Sequence, residues 1–423
     1  QHCFTFRLQL TMKNKERISM KRILLLFAIM VSYSFSQTTN ENVPDIKLSG
    51  FIKTDFFFDS RQVATFREGH FLLYPLNESL DANGEDLNSH SSFNALSIQS
   101  RVTAKFTGPL VLGAKSGGML EGEFFGTADA DINGFRLRHA FVTFNWEKTS
   151  LLFGQTWHPM FVAEVFPQVV SFNTGSPFQP FARNPQIRFT QSFDALKVIA
   201  VLLTQRDFTS NGPAGFSSTY LRNTVIPSAH LQLQYKSESF ISGGGVDYKT
   251  LTPRIATTKN LKADETISSF AGLFYAKYTS SDFSWMAEGV YGQNLTDLLM
   301  LGGYAVSAVD TSTGYEQYTT LNTFSIWTDI SYGKEIQPGL FAGYTKNLGA
   351  DEKIVGSYYT RINNIDKIFR VAPRVVFNFN NVRFSTEFDI TSVSYGKADE
   401  FGKVSDTTNV LNVRGLVAVY YFF

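Results

Sequence analysis

Leu96-Ser97-Ile98-Gln99-Ser100-Arg101-Val102-Thr103-Ala104-Lys105-Phe106 sorts its side chains by parity. Leu96, Ile98, Val102, Ala104 and Phe106 fall on one face, and Gln99, Arg101, Thr103 and Lys105 on the other. Successive side chains of a β-strand point to opposite faces, so this is a strand with one apolar side and one side fit for water. The same split recurs in Phe369 to Phe379, where Phe369, Val371, Val375, Phe377 and Phe379 oppose Arg370, Arg374 and Asn378. Further on, Val382, Phe384, Phe388 and Ile390 oppose Arg383, Glu387 and Asp389.

Sixteen such runs follow along the chain. They cover 46–59, 93–107, 111–126, 134–146, 149–157, 186–193, 195–204, 228–237, 239–250, 266–279, 283–293, 320–333, 337–346, 367–379, 381–395 and 409–423. Their connections alternate in length. Short ones include Trp146-Glu147-Lys148, Lys236-Ser237-Glu238-Ser239, Gly333 to Ile336 and Phe379-Asn380-Asn381. Long ones are 60–92, 127–133, 158–185, 205–227, 251–265, 294–319, 347–366 and 396–408. Outer-membrane barrels have short periplasmic turns and longer extracellular loops, so the alternation predicts an all-β, antiparallel transmembrane barrel of about sixteen strands.

Composition agrees with that reading. Aromatic residues make up 15% of the chain, yet mean hydropathy is only −0.09. Past residue 36 no apolar run is long enough for a membrane helix, which needs about 20 residues. A polar interior, an apolar exterior and aromatic girdles produce this mixture.

The first 36 residues read as upstream residues and a cleavable signal peptide. Lys13, Lys15, Arg17, Lys21 and Arg22 precede the apolar run Ile23 to Val31, and Ser34-Phe35-Ser36 offers small residues for cleavage before Gln37. Residues 37–423 then form a single barrel domain, exported through the periplasm to the outer membrane of a Gram-negative cell. The only cysteine, Cys3, lies in the discarded part. The remainder keeps 32 basic residues against 36 acidic ones, which argues against a nucleic-acid partner.

In the last run Val413, Val417, Val419, Tyr421 and Phe423 share a face. A terminal aromatic with apolar residues at alternate positions resembles the signal read by the barrel-assembly machinery, with Val419, Tyr421 and Phe423 as its elements. Outer-membrane lipid is the expected surroundings.

No nucleophile elbow, His-Glu-x-x-His or phosphate loop is present. His70, His90, His139, His158 and His230 are scattered without metal-ligand spacing. No enzyme activity, cofactor or metal is therefore expected. Sixteen strands enclose an aqueous channel. By alternation Lys53, Arg101, Arg138, Arg188, Arg374 and Arg414 point into it, with Arg136 and Arg370 continuing two rows toward the extracellular side. Rings of arginine favour anions. The competing reading pairs these cations with the inward Asp55, Glu121, Glu123, Glu387 and Asp389, which stiffens a barrel without selecting anything. Loop 158–185, rich in proline and aromatics, is expected to fold into the barrel, with Glu164 and Arg183 at a constriction. Its alternative is an extracellular cap.

Three segments carry a family resemblance: Ser49-Gly50-Phe51-Ile52-Lys53-Thr54-Asp55, Phe135-Arg136-Leu137-Arg138-His139-Ala140-Phe141-Val142 and Leu152-Phe153-Gly154-Gln155-Thr156-Trp157. Together with Arg61 to Leu76 they resemble the DcaP-like family of trimeric outer-membrane porins. The resemblance implies a sixteen-stranded barrel, a homotrimer, and passive uptake of small polar solutes, preferentially anions such as dicarboxylates. The expected function is thus a passive diffusion channel. Its rivals are a closed barrel with a structural or adhesive role and, behind that, an outer-membrane hydrolase.

Overall fold

The computed structural model describes residues 45–423; the expected signal peptide lies outside the described residues. Sixteen long strands form the wall. The first half comprises β1 (Asp45–Asp59), β2 (Ser92–Leu96 continued by Arg101–Val111), β3 (Ala114–Glu123), β4 (Arg136–Asn145), β5 (Thr149–Trp157), β6 (Arg183–Phe193), β7 (Leu196–Leu203) and β8 (Ser228–Lys236). The second half comprises β9 (Phe240–Leu251), β10 (Ile267–Thr279), β11 (Phe283–Gln293), β12 (Glu316–Tyr332), β13 (Ile336–Ala350), β14 (Ile365–Phe379), β15 (Val382–Ala398) and β16 (Val404–Phe422). Each pairs antiparallel with its neighbours, and β1 pairs with β16 from Phe51↔Phe422 to Asp59↔Arg414, which closes the barrel.

Closure pairs the first strand of the wall with the last, and the alternation read in the sequence sets the two faces. On β1, Ile46, Leu48, Ile52, Phe56 and Phe58 are exposed outward while Lys53, Asp55, Phe57 and Asp59 are buried inward. Phe384, Phe388 and Ile390 on β15 continue the outer belt. A contiguous apolar belt around a closed barrel is a lipid-facing surface. Tight turns join strands at one end. Residues with positive φ at Leu112, Gly113, Asp194 and Asn380 reverse the chain there, as two-residue hairpins require.

Three expectations need correction. Strand β2 is not continuous. Lys53 donates its N–H to the Ser100 hydroxyl at 3.1 Å, and the Ser100 hydroxyl donates to the carbonyl of Ser97 at 2.8 Å. This turn breaks the parity, so Ile98 swings into the interior, 3% exposed, instead of joining Val102 outside. The last connection is only 399–403, because the Asp399 carboxylate accepts the N–H groups of Phe401 and Lys403 and tightens the hairpin. Finally, the long loops hold strands of their own. Val63–Phe66 pairs with Phe71–Pro75, and Gly303–Val309 extends the sheet beside β12.

The largest apolar cluster sits inside the barrel. Loop L1 (60–91) contributes Phe71, Leu73 and Tyr74; loop L3 (158–182) contributes Met160, Phe161, Val165, Phe172, Phe178 and Phe181. They pack on Tyr275, Trp327, Phe341 and Ile368 of the wall. Phe125 stacks on Phe172 at 4.0 Å between ring centroids, and Trp157 stacks on Phe161 at 3.9 Å. Each such pair adds about 1 kcal/mol beyond burial of its area.

Candidate pore and its inward-folded loop

Loop L3 leaves β5 at Trp157 and crosses the lumen, fastened to the wall at many points. The Glu164 carboxylate accepts from Gln234 at 2.9 Å and Lys236 at 2.7 Å on β8. Lys277 on β10 donates to the Glu164 carbonyl, and the Gln168 N–H reaches Asp329 on β12. The Glu387 carboxylate on β15 accepts the N–H groups of Val170 and Ser171 at 2.7 and 3.0 Å. Lys53 on β1 donates to the Val170 carbonyl at 2.9 Å. Arg370 on β14 reaches both loops, donating to the Ser176 carbonyl at 2.7 Å and to the Leu73 carbonyl of L1 at 2.6 Å.

A polypeptide buried in a barrel must satisfy its backbone polar groups, and here the inward charged side chains supply partners. The loop does fold into the barrel, and Glu164 sits on its crossing segment. Arg183 lies at the base of β6, donating to Asp207 of loop L4 (204–227) at 2.6 Å.

The inward cations expected from alternation all face inward, and most meet carboxylates. Lys53 pairs with Asp55 at 3.0 Å, Arg370 with Asp389 at 3.0 Å, Arg374 with Asp329 at 2.8 Å and Arg414 with Asp59 at 2.6 Å. Arg101, Arg136 and Arg138 converge on Glu123 at 3.0, 2.9 and 2.6 Å, and Arg138 also meets Glu121 at 2.8 Å. Arg188 is different: it donates to the Gln186 side chain at 3.0 Å and the Trp157 carbonyl at 2.8 Å. Burying an ion pair costs desolvation that its attraction barely offsets. Members of these pairs also bind the loops: Arg370 through the Ser176 and Leu73 carbonyls, Arg414 through the Gly69 carbonyl and Arg136 through Asp207.

Open volume remains on one side. A cavity of about 440 Å³ lies between L3 and the wall of β2 to β5, β15 and β16, bordered by Arg101, Arg138, Glu121, Arg383 and the aromatic edge of Trp157 and Phe161. A second of about 340 Å³ lies nearer the short turns, bordered by Lys105, Lys115, Phe141 and Thr143. Toward the opposite wall the loops pack against Tyr275 and Trp327, so the lumen has an apolar packed half and a charged open half.

Sequence reasoning missed that L1 also turns inward. Its Phe71-Leu72-Leu73-Tyr74 run, the longest apolar stretch of the loop, was the available signal, and all four are buried. His70, in the turn of that hairpin, meets Asp55 at 2.7 Å. Among the described residues no group of histidine, cysteine and carboxylate side chains is arranged to hold a metal ion.

No protein-family model and no curated protein matches the chain. Solved structures do. The outer membrane channel DcaP of Acinetobacter baumannii is 16% identical, with a TM-score of 0.68 over 92% of this chain and 100% of that one. Outer-membrane expressed OmpT of Vibrio cholerae is 11% identical, with a TM-score of 0.53 over 92% and 100%. OmpF of Salmonella typhi, in complex with daunomycin, is 11% identical, with a TM-score of 0.50 over 89% and 97%. At these identities the likeness is one of fold: the chain has the closed sixteen-stranded barrel of the DcaP channel and the porins.

Proposed function

We propose that the chain is a passive outer-membrane channel for small hydrophilic solutes, favouring anions such as dicarboxylates. The observation that carries this reading is loop L3 crossing a closed, lipid-belted barrel while leaving a polar cavity beside Arg101 and Arg138. A constriction built from a folded-in loop and inward charges sorts solutes by size and charge. In this reading Lys53, Arg136, Arg183, Arg370, Arg374 and Arg414, all buried, shape the path by holding the loops in place, with Glu164 on the crossing segment and Arg188 beside its start. Export by the signal peptide of residues 1–36, assembly through Val419, Tyr421 and Phe423, and a homotrimer complete it. A trimer form of OmpT of Vibrio cholerae is among the structures of like fold.

Single-channel recording of the folded protein in a planar bilayer under a salt gradient tests it. Stepwise openings in threes with an anion-favouring reversal potential are expected. A second reading, the closed structural barrel, draws on the apolar packing of L1 and L3 across the lumen. That reading predicts no conductance from a demonstrably folded barrel.

A further inference from the structure

Along the inner face of β1 and β2, compensation of charge stops abruptly toward the short-turn end. Lys53 has Asp55, and Arg101 has Glu123. Below them Lys47 on β1 stands directly opposite Lys105 on β2 in the strand register. Lys115 on β3 follows two inward positions further down from Met119, the cross-strand partner of Lys105. All three lysines are exposed, and Lys105 and Lys115 border the 340 Å³ cavity. Among the described residues no carboxylate forms an ion pair with any of the three. The one acid further along this face of β1 is Asp45, opposite Thr107.

Like charges directly opposite on neighbouring strands destabilise a sheet. Farther up the same two strands Lys53 and Arg101 each have a carboxylate partner, and among the described residues no such partner meets the lysines at this end. Arg383 extends the imbalance across the seam. It borders the larger cavity, lies over the Phe422 ring at 5.2 Å, and donates to the Asn378 side chain, with no carboxylate partner among the described residues.

We infer that the anion filter of this pore is the basic patch Lys47, Lys105 and Lys115, with Arg383 beside it, at the short-turn mouth of the lumen. This rests on the channel reading above and moves discrimination away from the paired arginines. Fixed positive charge on a low-dielectric wall focuses its field into the open cavity and raises the local concentration of anions. The arginines are compensated in large part: Arg101, Arg136, Arg138 and Arg183 share Glu121, Glu123 and Asp207, which leaves one positive charge among them, and Arg374 has Asp329.

The test is the reversal potential of the full-length protein under a potassium chloride gradient. Lys47→Glu, Lys105→Glu and Lys115→Glu are combined in one variant and compared with Lys259→Glu, Lys262→Glu and Lys353→Glu, which reverse equal charge in exposed long loops. The patch variant should lose chloride preference roughly fivefold, the factor that ~1 kcal/mol of altered ion energy brings, and reverse its sign. The loop variant should keep the wild-type value. If the glutamates prevent folding, the Lys→Gln versions of the same three positions should bring the ratio toward unity. An open channel whose patch variants keep the wild-type ratio overturns the filter and leaves the channel standing. A folded wild type without current overturns both.

Discussion

Glu387 accepts the backbone N–H of Val170 at 2.7 Å although 217 residues separate them. The same carboxylate accepts from Ser171, and Lys53 holds the Val170 carbonyl from the other side. One peptide at the middle of L3 is thus gripped by β1 and β15, the two strands that flank β16 in the wall.

Replacing Glu387 with Ala strands two buried N–H groups, each costing about 1–3 kcal/mol. Most of that cost should be relieved by L3 leaving the wall. The expected result is larger, noisier single-channel conductance and faster proteolysis near Val170, with the barrel itself still folded. Conductance and cleavage equal to wild type would show that the loop is held elsewhere.

Period-2 alternation made the wall legible, because a lipid-facing side and a polar lumen impose opposite chemistry on successive residues. All sixteen strands were readable from residues such as Phe384 and Glu387. Where parity failed, a side-chain bond was responsible: Ser100 against Lys53 bends β2 and turns Ile98 inward. What alternation leaves open is whether an inward cation meets water or a carboxylate. Arg374 and Lys105 look alike in their runs, yet Arg374 is buried against Asp329 from β12 and Lys105 is exposed. That difference depends on cross-strand register and on loops arriving from far along the chain. The inward course of L1 was hidden for the same reason: its partner Arg370 lies 297 residues from Leu73.

Phe423 closes the seam between the ends of the wall. Its N–H donates to the Gly50 carbonyl at 3.1 Å, and its carbonyl accepts from Gly50 at 2.9 Å. A side chain at position 50 would collide with the Arg101 carbonyl and the Phe423 ring, so glycine is what allows the approach. Deleting Phe423 removes both bonds and an aromatic from the lipid belt. Outer-membrane yield should fall severalfold, and the fraction that assembles should unfold at lower temperature on heated gels. Normal yield with unchanged heat stability would refute a role for Phe423 in closure.

Arg374 and Asp329 form two parallel hydrogen bonds at 2.9 and 2.8 Å, with both side chains buried, and Asp329 also accepts the Gln168 N–H of L3. Removing one partner of a buried pair leaves an uncompensated charge and typically costs about 3–5 kcal/mol. Removing both leaves none. Arg374→Leu should therefore lower the denaturation midpoint strongly, while Arg374→Leu combined with Asp329→Leu should recover most of the loss. Reversal potentials of the double variant should match wild type if the pair serves geometry, since it carries no net charge into the lumen. If the double variant is no more stable than the single, the pair is not the source of the cost. A cation-shifted reversal potential in the double variant, with proteolysis of L3 unchanged from wild type, would instead return Arg374 to the ion path, because L3, which Asp329 also holds through Gln168, would then not have moved.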